Sequence, residues 1–396
     1  MVLFKYLKIS LLRRKNCYGL YHQVQWLSMP TKSFKFTDLE VIHAKSSQLN
    51  PKPDPNHLVF GRHFSDHMFE VEWNASVGWG TPRICPIHHL NLHPAAKVFH
   101  YAQELFEGMK AFYGVDNKIR LFRPDVNMKR MLSTAERLDL PLFDGEELIK
   151  CMKKLVSIDK DWVPNHSSSS LYIRPTMIGI EPSLGVASAN KSLLYIITGP
   201  VGPYFSTGVK PVSLLADPKF IRAWPGGIGD KKAGSNYGPT VAIQKHAEKM
   251  NLQQVLWLFG DDHQLTEVGT MNIFVYFIND KGEKELITPP LNGIILPGVT
   301  RKSLIELAEE WKEFKMTERV ITMKEVIKLL QENKLLEIFG AGTACVVCPV
   351  NHIHYLGQEL HIPTMEHVDP LNLRFLKALT DIQFGRVKHE WAVEIE

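Results

Sequence analysis

The chain is 396 residues long, enough for two domains of ordinary size. Hydrophobic residues make up 44% and charged residues 22%, a soluble globular composition, and no run approaches the roughly 18 apolar residues of a membrane span. The net charge of +4 lies partly in the first 37 residues and no long basic stripe occurs elsewhere, which argues against a nucleic-acid partner.

Residues 1–30 open the chain with Lys5, Lys8, Arg13, Arg14 and Lys15 among Leu3, Tyr6, Leu7, Ile9 and Leu11, and the first acid is Asp38. An amphipathic, Arg-rich, acid-poor start is the composition of a mitochondrial transit peptide; a basic tail is the other reading. A secretory signal fits poorly, because Arg13-Arg14-Lys15 interrupts any apolar core. Cys17, Cys85, Cys151, Cys345 and Cys348 are too sparse for a disulfide framework, so a reducing compartment is expected.

After this leader the first half mixes strands and helices. LFRPDVNMKRMLSTAERL suits a helix, with Met128, Met131, Leu132, Ala135 and Leu138 at helical spacing. SLLYIITGPV, 192–201, reads as a buried strand, and the turn-rich residues that follow, 202–212, as an interdomain connection. Beyond it, QVLWLFG and NIFVYFI are strands, PGVTRKSLIELAEEW and TMKEVIKLLQENK are helices, and LLEIFG is a strand. Strand and helix alternating around Gly-rich turns predict an α/β (mixed α+β) chain, with a small domain over 31–201 and a larger one over 213–396.

GGIGDKKAGSNYG, 226–238, sets Lys231 and Lys232 side by side among glycines. An ordinary lysine is almost wholly protonated at neutral pH, so a nucleophilic one needs desolvation or a neighbouring cation. Adjacent side chains on an extended segment point to opposite faces, so only one of the two can enter a given pocket. Residue type alone leaves a solvated Lys-Lys pair open. Elsewhere, Glu267 stands just before Thr270 and an apolar strand, ILPGVT leads into a helix whose N–H groups favour phosphate, and FGAGTACVVCPV places Gly340, Gly342 and Thr343 in a tight turn. A lysine, a buried acid and phosphate-binding turns together are what pyridoxal 5'-phosphate requires.

GDKKAGSNYG, QLTEVGTMN, ITPPLNGIILPGVTR and FGAGTACVVCPV resemble the corresponding motifs of the branched-chain amino acid aminotransferases, fold-type IV pyridoxal phosphate enzymes. The likeness runs in order from about Phe60 through DHMFEVEW, LFEGMKAF, RLFRPDVNM and EPSLGV to IPTME and HEW. It implies a two-domain enzyme with its active site at the domain interface, a homodimer, in the mitochondrial matrix. It also implies reversible transfer of the amino group of leucine, isoleucine or valine to 2-oxoglutarate, with small amino acids and 2-oxo acids as partners. Neither nucleic acid nor membrane is expected as a partner. A D-amino acid aminotransferase or aminodeoxychorismate lyase of the same fold is the alternative, opposed by the apolar pocket and extra N-terminal segments. A non-catalytic thiol-redox sensor is the alternative from another class.

Residue by residue, the resemblance makes Lys232 the Schiff-base lysine, five positions before Tyr237. Tyr237 faces the cofactor's ring oxygen, Glu267 its pyridine nitrogen, and Arg130, Val299, Thr300 and Thr343 its phosphate; Arg222 matches a further cofactor-side position. It implies an apolar substrate pocket from Phe60, Phe106, Tyr172, Val186, Tyr204 and Tyr101, the last from the partner subunit or a neighbouring loop. Arg174 matches the arginine that receives the distal carboxylate of glutamate, and Thr270 and Ala344 the substrate's carboxylate side. Lys231, Ala233 and Ser235 depart from the family's pattern, and Lys231 would set a cation near the reacting amine if the segment bends. The resemblance also implies a reversible redox pair in Cys345 and Cys348. C-x2-C-x3-H-x-H with His352 and His354 is too short a loop for usual zinc spacings, so no metal is expected there, and two buried thiols packing as small hydrophobes remain open. His88, His89 and His93 read as structural.

Overall fold

The computed structural model describes residues 32–202 and 210–395, all within one compact unit, Lys32–Glu396. Residues 1–30, Tyr204 and most of the expected connection lie outside the described residues. Two sheets organise the rest. The first has ten strands, in the order Glu40–Val41, Arg83–Pro86, His67–Asn74, Lys191–Val201, Ser170–Gly179, Met109–Tyr113, Ile119–Phe122 and Ala392–Ile395, with two short strands beside this path. All its pairings are antiparallel except that of Glu40–Val41 with Arg83–Pro86.

The second sheet has nine strands, ordered Gln264–Val268, Gln254–Phe259, Val212–Ala216, Val346–Tyr355, Leu335–Gly342, Met271–Ile278, Lys284–Thr288 and Lys315–Glu318. Gln264–Val268 also pairs with Met271–Ile278, so six strands close on themselves. Closure removes the open edges that invite aggregation. The closed strands bury Leu214, Leu256, Leu265, Ile273, Val275, Ile338 and Ile353 in one cluster. The strands expected from QVLWLFG, NIFVYFI and LLEIFG are all present.

Helix Pro124–Arg137 packs on the first sheet through Met128, Met131 and Ala135, the spacing the sequence shows. It starts three residues after the expected point, because Arg123 sits at φ 47° and Pro124 occupies the first helical position, where its missing N–H costs nothing. A second helix, Gly145–Ile158, completes that core with Leu148, Met152 and Leu155, and Asp144 caps it by accepting the Glu146 and Glu147 N–H groups. Helix Val299–Trp311 lies across the second sheet, burying Leu304, Leu307 and Ala308.

Candidate active site

A cavity of about 320 Å³ opens between residues of the two sheets. Strand Ser170–Gly179 supplies Tyr172 and Arg174, two positions apart and therefore on one face. Strand Glu104–Phe106 supplies Phe106, helix Pro124–Arg137 supplies Arg130, and the loop before strand His67–Asn74 supplies Phe60. From the other side come Thr270 and Asn272, Val299 and Thr300 at the start of their helix, and Thr343 with Ala344 in the turn after Gly342.

Lys232 and Tyr237 form the floor. The backbone of Lys232 is held on both sides: its N–H donates to Thr134 Oγ1 at 3.1 Å and its carbonyl accepts the Phe106 N–H at 3.1 Å. Ala233 then bridges Leu105, and Gly234 follows where a Cβ would meet Glu104 Oε1 at 1.6 Å, so a larger residue there would have to displace the Glu104 side chain. This clamp turns Lys232 into the cavity, where Nζ lies 3.2 Å from Tyr237 Oη and 4.7 Å from the Phe106 ring centre. Enclosure of the amine pulls its pKa down to about 7, and the Arg130 charge adds to the effect. Lys231 points the other way, donating to Ser133 Oγ at 2.8 Å and pairing with Asp230 at 3.1 Å. The segment does not bend Lys231 toward the cavity, because Asp230 and Ser133 hold its ammonium on the opposite face.

Arg130 is fixed by Glu107, which carries no expectation from the sequence. Two parallel bonds of 2.7 Å run from Arg130 Nε and Nη2 to the two Glu107 oxygens, and Asn127 Nδ2 donates to Oε2 at 2.7 Å. Glu107 is fully buried, yet the facing guanidinium keeps its carboxyl below the usual range against the cost of desolvation. The signal for Glu107 is an acid inside the apolar run of LFEGMKAF. Gly108 beside it has Tyr172 Oη 2.0 Å from where a Cβ would stand.

Glu267 sits beneath the floor rather than on the lining. Its Oε1 accepts the Leu296 N–H at 2.8 Å and its Oε2 faces Arg222 Nη2 at 3.2 Å. Burial raises its pKa, opposed by Arg222 and that N–H. Arg222 also donates to the Gly229 and Ile294 carbonyls, so it anchors Glu267 and does not line the cavity. Arg174 donates to Tyr172 Oη at 3.0 Å and lies 4.7 Å over the Phe106 ring, while its Nε is buried without a partner among the described residues.

The structure does not bring Tyr101 and Val186 to the cavity. Tyr101 is 39% exposed, its hydroxyl bonded to the Leu184 carbonyl, and Val186 is 83% exposed. Cys345 is half-buried just past Ala344, with Sγ 3.0 Å from Met271 Sδ, and Cys348 is fully buried. The hydrogen bond from Cys348, with the nearby Lys110 ammonium, lowers the Cys345 pKa, and the same bond together with burial raises that of Cys348. Lys110 donates to the Ala344 carbonyl at 2.8 Å and is pulled to about 8 by burial. His352 and His354 pair with Glu359 and do not join the cysteines.

A half-buried amine of lowered pKa, a fixed guanidinium and a helix start without a side-chain cap make a floor suited to an aldehyde bearing a phosphate. Residues 104–353 match the model of the class IV amino-transferases. The cytosolic branched-chain-amino-acid aminotransferase of Mus musculus is 58% identical over 365 residues, covering 92% of this chain and 94% of that protein. The mitochondrial form from Mus musculus is 54% identical over 378 residues, covering 94% and 96%. Among solved structures, a branched-chain aminotransferase from Thermoproteus uzoniensis with norvaline shares the fold at a TM-score of 0.66 and 21% identity, covering 82% of this chain and 99% of that one. One from Thermobaculum terrenum in its PLP form does so at 0.64 and 17% identity, covering 85% and 100%. The chain belongs to the class IV aminotransferases and, within them, to the branched-chain-amino-acid aminotransferase family.

Proposed function

We propose that this chain transfers the amino group of leucine, isoleucine or valine to 2-oxoglutarate, reversibly, with pyridoxal 5'-phosphate as cofactor. The observation that carries the reading is Lys232, an enclosed amine of pKa about 7 facing Tyr237. When bound, the cofactor supplies an electron sink for the substrate's Cα–H bond. Lys232 would hold it through Nζ, Glu267 would face its pyridine nitrogen, and Tyr237 its ring oxygen. The positive pyridine nitrogen would restore to Glu267 the ionised form that burial alone disfavours. Arg130 and the helix start at Val299 and Thr300 would receive its phosphate, with Thr343 beside them. With the cofactor bound, Lys232 Nζ would take the proton from the substrate's Cα as base and, as acid, would pass it to the cofactor's aldehyde carbon.

Phe60, Phe106 and Tyr172 form the apolar end that suits a branched side chain. Arg174 at the same end would receive the second carboxylate of glutamate, its orphaned Nε offering one of the donors. Thr270 and Ala344 would contact the α-carboxylate, and Tyr204 would complete the pocket. Tyr101 and Val186 would complete the substrate pocket, Tyr101 from the partner subunit of a homodimer or from a neighbouring loop. The small domain is 31–201 and the large one 213–396. Close relatives include mitochondrial and cytosolic forms; the basic, acid-poor start of this sequence favours the mitochondrial matrix.

Purified chain given pyridoxal phosphate, each branched-chain amino acid and 2-oxoglutarate tests the activity. Glutamate formation is expected, and a protein that neither takes up the cofactor nor forms glutamate would refute the reading. The Cys345–Cys348 pair makes the enzyme peroxide-sensitive. Peroxide oxidises the Cys345 thiolate to a sulfenic acid; the Cys348 sulfur then forms the S–S bond as water leaves. Activity constant while both thiols are consumed would exclude this switch.

A further inference from the structure

Away from the cavity, three side chains of the first sheet converge on one point. Glu70 lies on strand His67–Asn74 opposite Arg83, and Cys85 stands two residues beyond Arg83 on the paired strand Arg83–Pro86, hence on the same face as Glu70. His88 follows three residues on. Cys85 Sγ is 3.5 Å from Glu70 Oε1, His88 Nε2 is 3.1 Å from the same oxygen, and all three ligand atoms lie within 4.8 Å of one another. Among the described residues no other group of three His, Cys, Asp or Glu side chains is so arranged.

The separations have a chemical meaning. Around a tetrahedral zinc with bonds of about 2.0–2.3 Å, neighbouring ligand atoms stand roughly 3.3–3.8 Å apart. Two of the three contacts here are close to that range before any ion is present. The tautomer also fits. His88 Nδ1 lies 2.9 Å from the His89 carbonyl, which can only accept, so Nδ1 carries the proton. With Nδ1 so engaged, Nε2 is the ring nitrogen that faces Glu70 Oε1, at 3.1 Å. A backbone carbonyl that fixes the free nitrogen in this way is the usual outer partner of a metal-bound histidine.

We infer that Glu70, Cys85 and His88 form a binding site for a thiophilic divalent cation such as Zn²⁺. Carboxylate, thiolate and imidazole are a zinc donor set, and their two negative charges neutralise the ion. Binding forms the Sγ–metal bond and releases the Cys85 proton to solvent. Glu70 and Cys85 are buried while His88 is exposed, so the fourth position faces water. Arg83 already meets Glu70 Oε1 through Nη2 at 2.6 Å and Nε at 2.7 Å, so an ion would bind through Oε2 or displace Arg83 from Oε1. The Arg83 side chain is half exposed and also feels Glu72, so it can share Glu70 or turn toward that second acid. The bound ion would clamp the strand pair to the segment after Pro86.

Cobalt(II) titration of the purified holoenzyme tests the site, because a thiolate ligand gives a charge-transfer band that water and imidazole do not. One ion per chain with that band is expected, together with a rise in melting temperature on adding Zn²⁺. His88→Ala, a substitution at an exposed position, should weaken binding by more than about a hundredfold, since even outer-shell partners are worth 10- to 100-fold. Cys85→Ser should remove the band, and Cys345→Ser should keep it. A band lost in Cys345→Ser and kept in Cys85→Ser, or equal zinc uptake by wild type and His88→Ala, would overturn the proposal. Absence of uptake by folded wild type would overturn it too, leaving a proton as the only cation between His88 and Glu70.

Discussion

The two walls of the cavity are built differently. The wall from the second sheet is made of backbone features: the turn at Thr343–Ala344, the start of helix Val299–Trp311 and the tight return at Gly269, φ 54°. The wall from the first sheet is made of long side chains, Phe106, Tyr172, Arg174 and Arg130, each positioned by another side chain or ring. Backbone features depend on local sequence; side-chain walls depend on contacts between distant segments. The first wall should therefore be tunable by single substitutions, and the floor between them should not.

The sharpest break of that contrast is at the floor. Lys232→Ala should lower transamination by at least about 10³-fold, within the range general acid–base catalysis provides, and abolish covalent cofactor retention by mass. Lys231→Ala, on the opposite face, should stay within about twofold, as surface changes usually do. Cofactor found on Lys231 in active Lys232→Ala protein would reverse the assignment. On the side-chain wall, Glu107→Gln leaves the buried Arg130 without its counter-charge and should cost about 3 kcal/mol in urea unfolding of the cofactor-free chain. A loss below about 1 kcal/mol would mean Arg130 is positioned by its bond to the Pro297 carbonyl instead.

Arg174→Ala should raise KM for glutamate and 2-oxoglutarate roughly ten- to hundredfold while leaving that for leucine nearly unchanged, since a charge-assisted hydrogen bond is worth about 1.5–3 kcal/mol. Equal losses for both substrates would make Arg174 a prop for Phe106 and Tyr172. The smallest effect is on pH. A lysine whose pKa falls to about 7 is protonated below that value and free above it. Cofactor capture by the cofactor-free chain should therefore rise with pH and level off past about 7, where an ordinary lysine would still be rising toward about 10.4. Glu107 stabilises the ammonium, so Glu107→Gln should move that midpoint down; an upward move would assign the shift to other charges.

Local features were the ones legible in the sequence. Helix Pro124–Arg137 and the strands of NIFVYFI and LLEIFG follow from apolar spacing, and Thr343, Val299 and Glu267 fall in short motifs whose chemistry is local. Residue type alone could not separate Lys231 from Lys232. What separates them is the clamp from Thr134, Leu105 and Phe106, residues about a hundred positions away. Glu107 was hidden for a similar reason: its partner stands 23 residues on, across a strand–helix contact that no periodicity encodes. Helix Gly145–Ile158 carries a cap in Asp144 and acids in its first turn, both local marks of a helix start. The closure of six strands rests on pairings between distant segments, which alternation of apolar residues cannot specify.

The strand Ala392–Ile395 pairs with Ile119–Phe122, and Arg120 reaches Glu394 across 274 positions of chain. Trp391 receives the Arg123 N–H on its carbonyl and the Arg123 guanidinium on its ring at 4.3 Å. On a ribosome adding about 5–20 residues per second, the edge of the first sheet therefore waits roughly half a minute for its last strand. Throughout that interval Ile119–Phe122 is an open template for any other nascent chain. A message cut short before Trp391 would thus release a protein with most of its active-site residues and an uncovered sheet edge, a product whose fate is set by chaperones more than by chemistry.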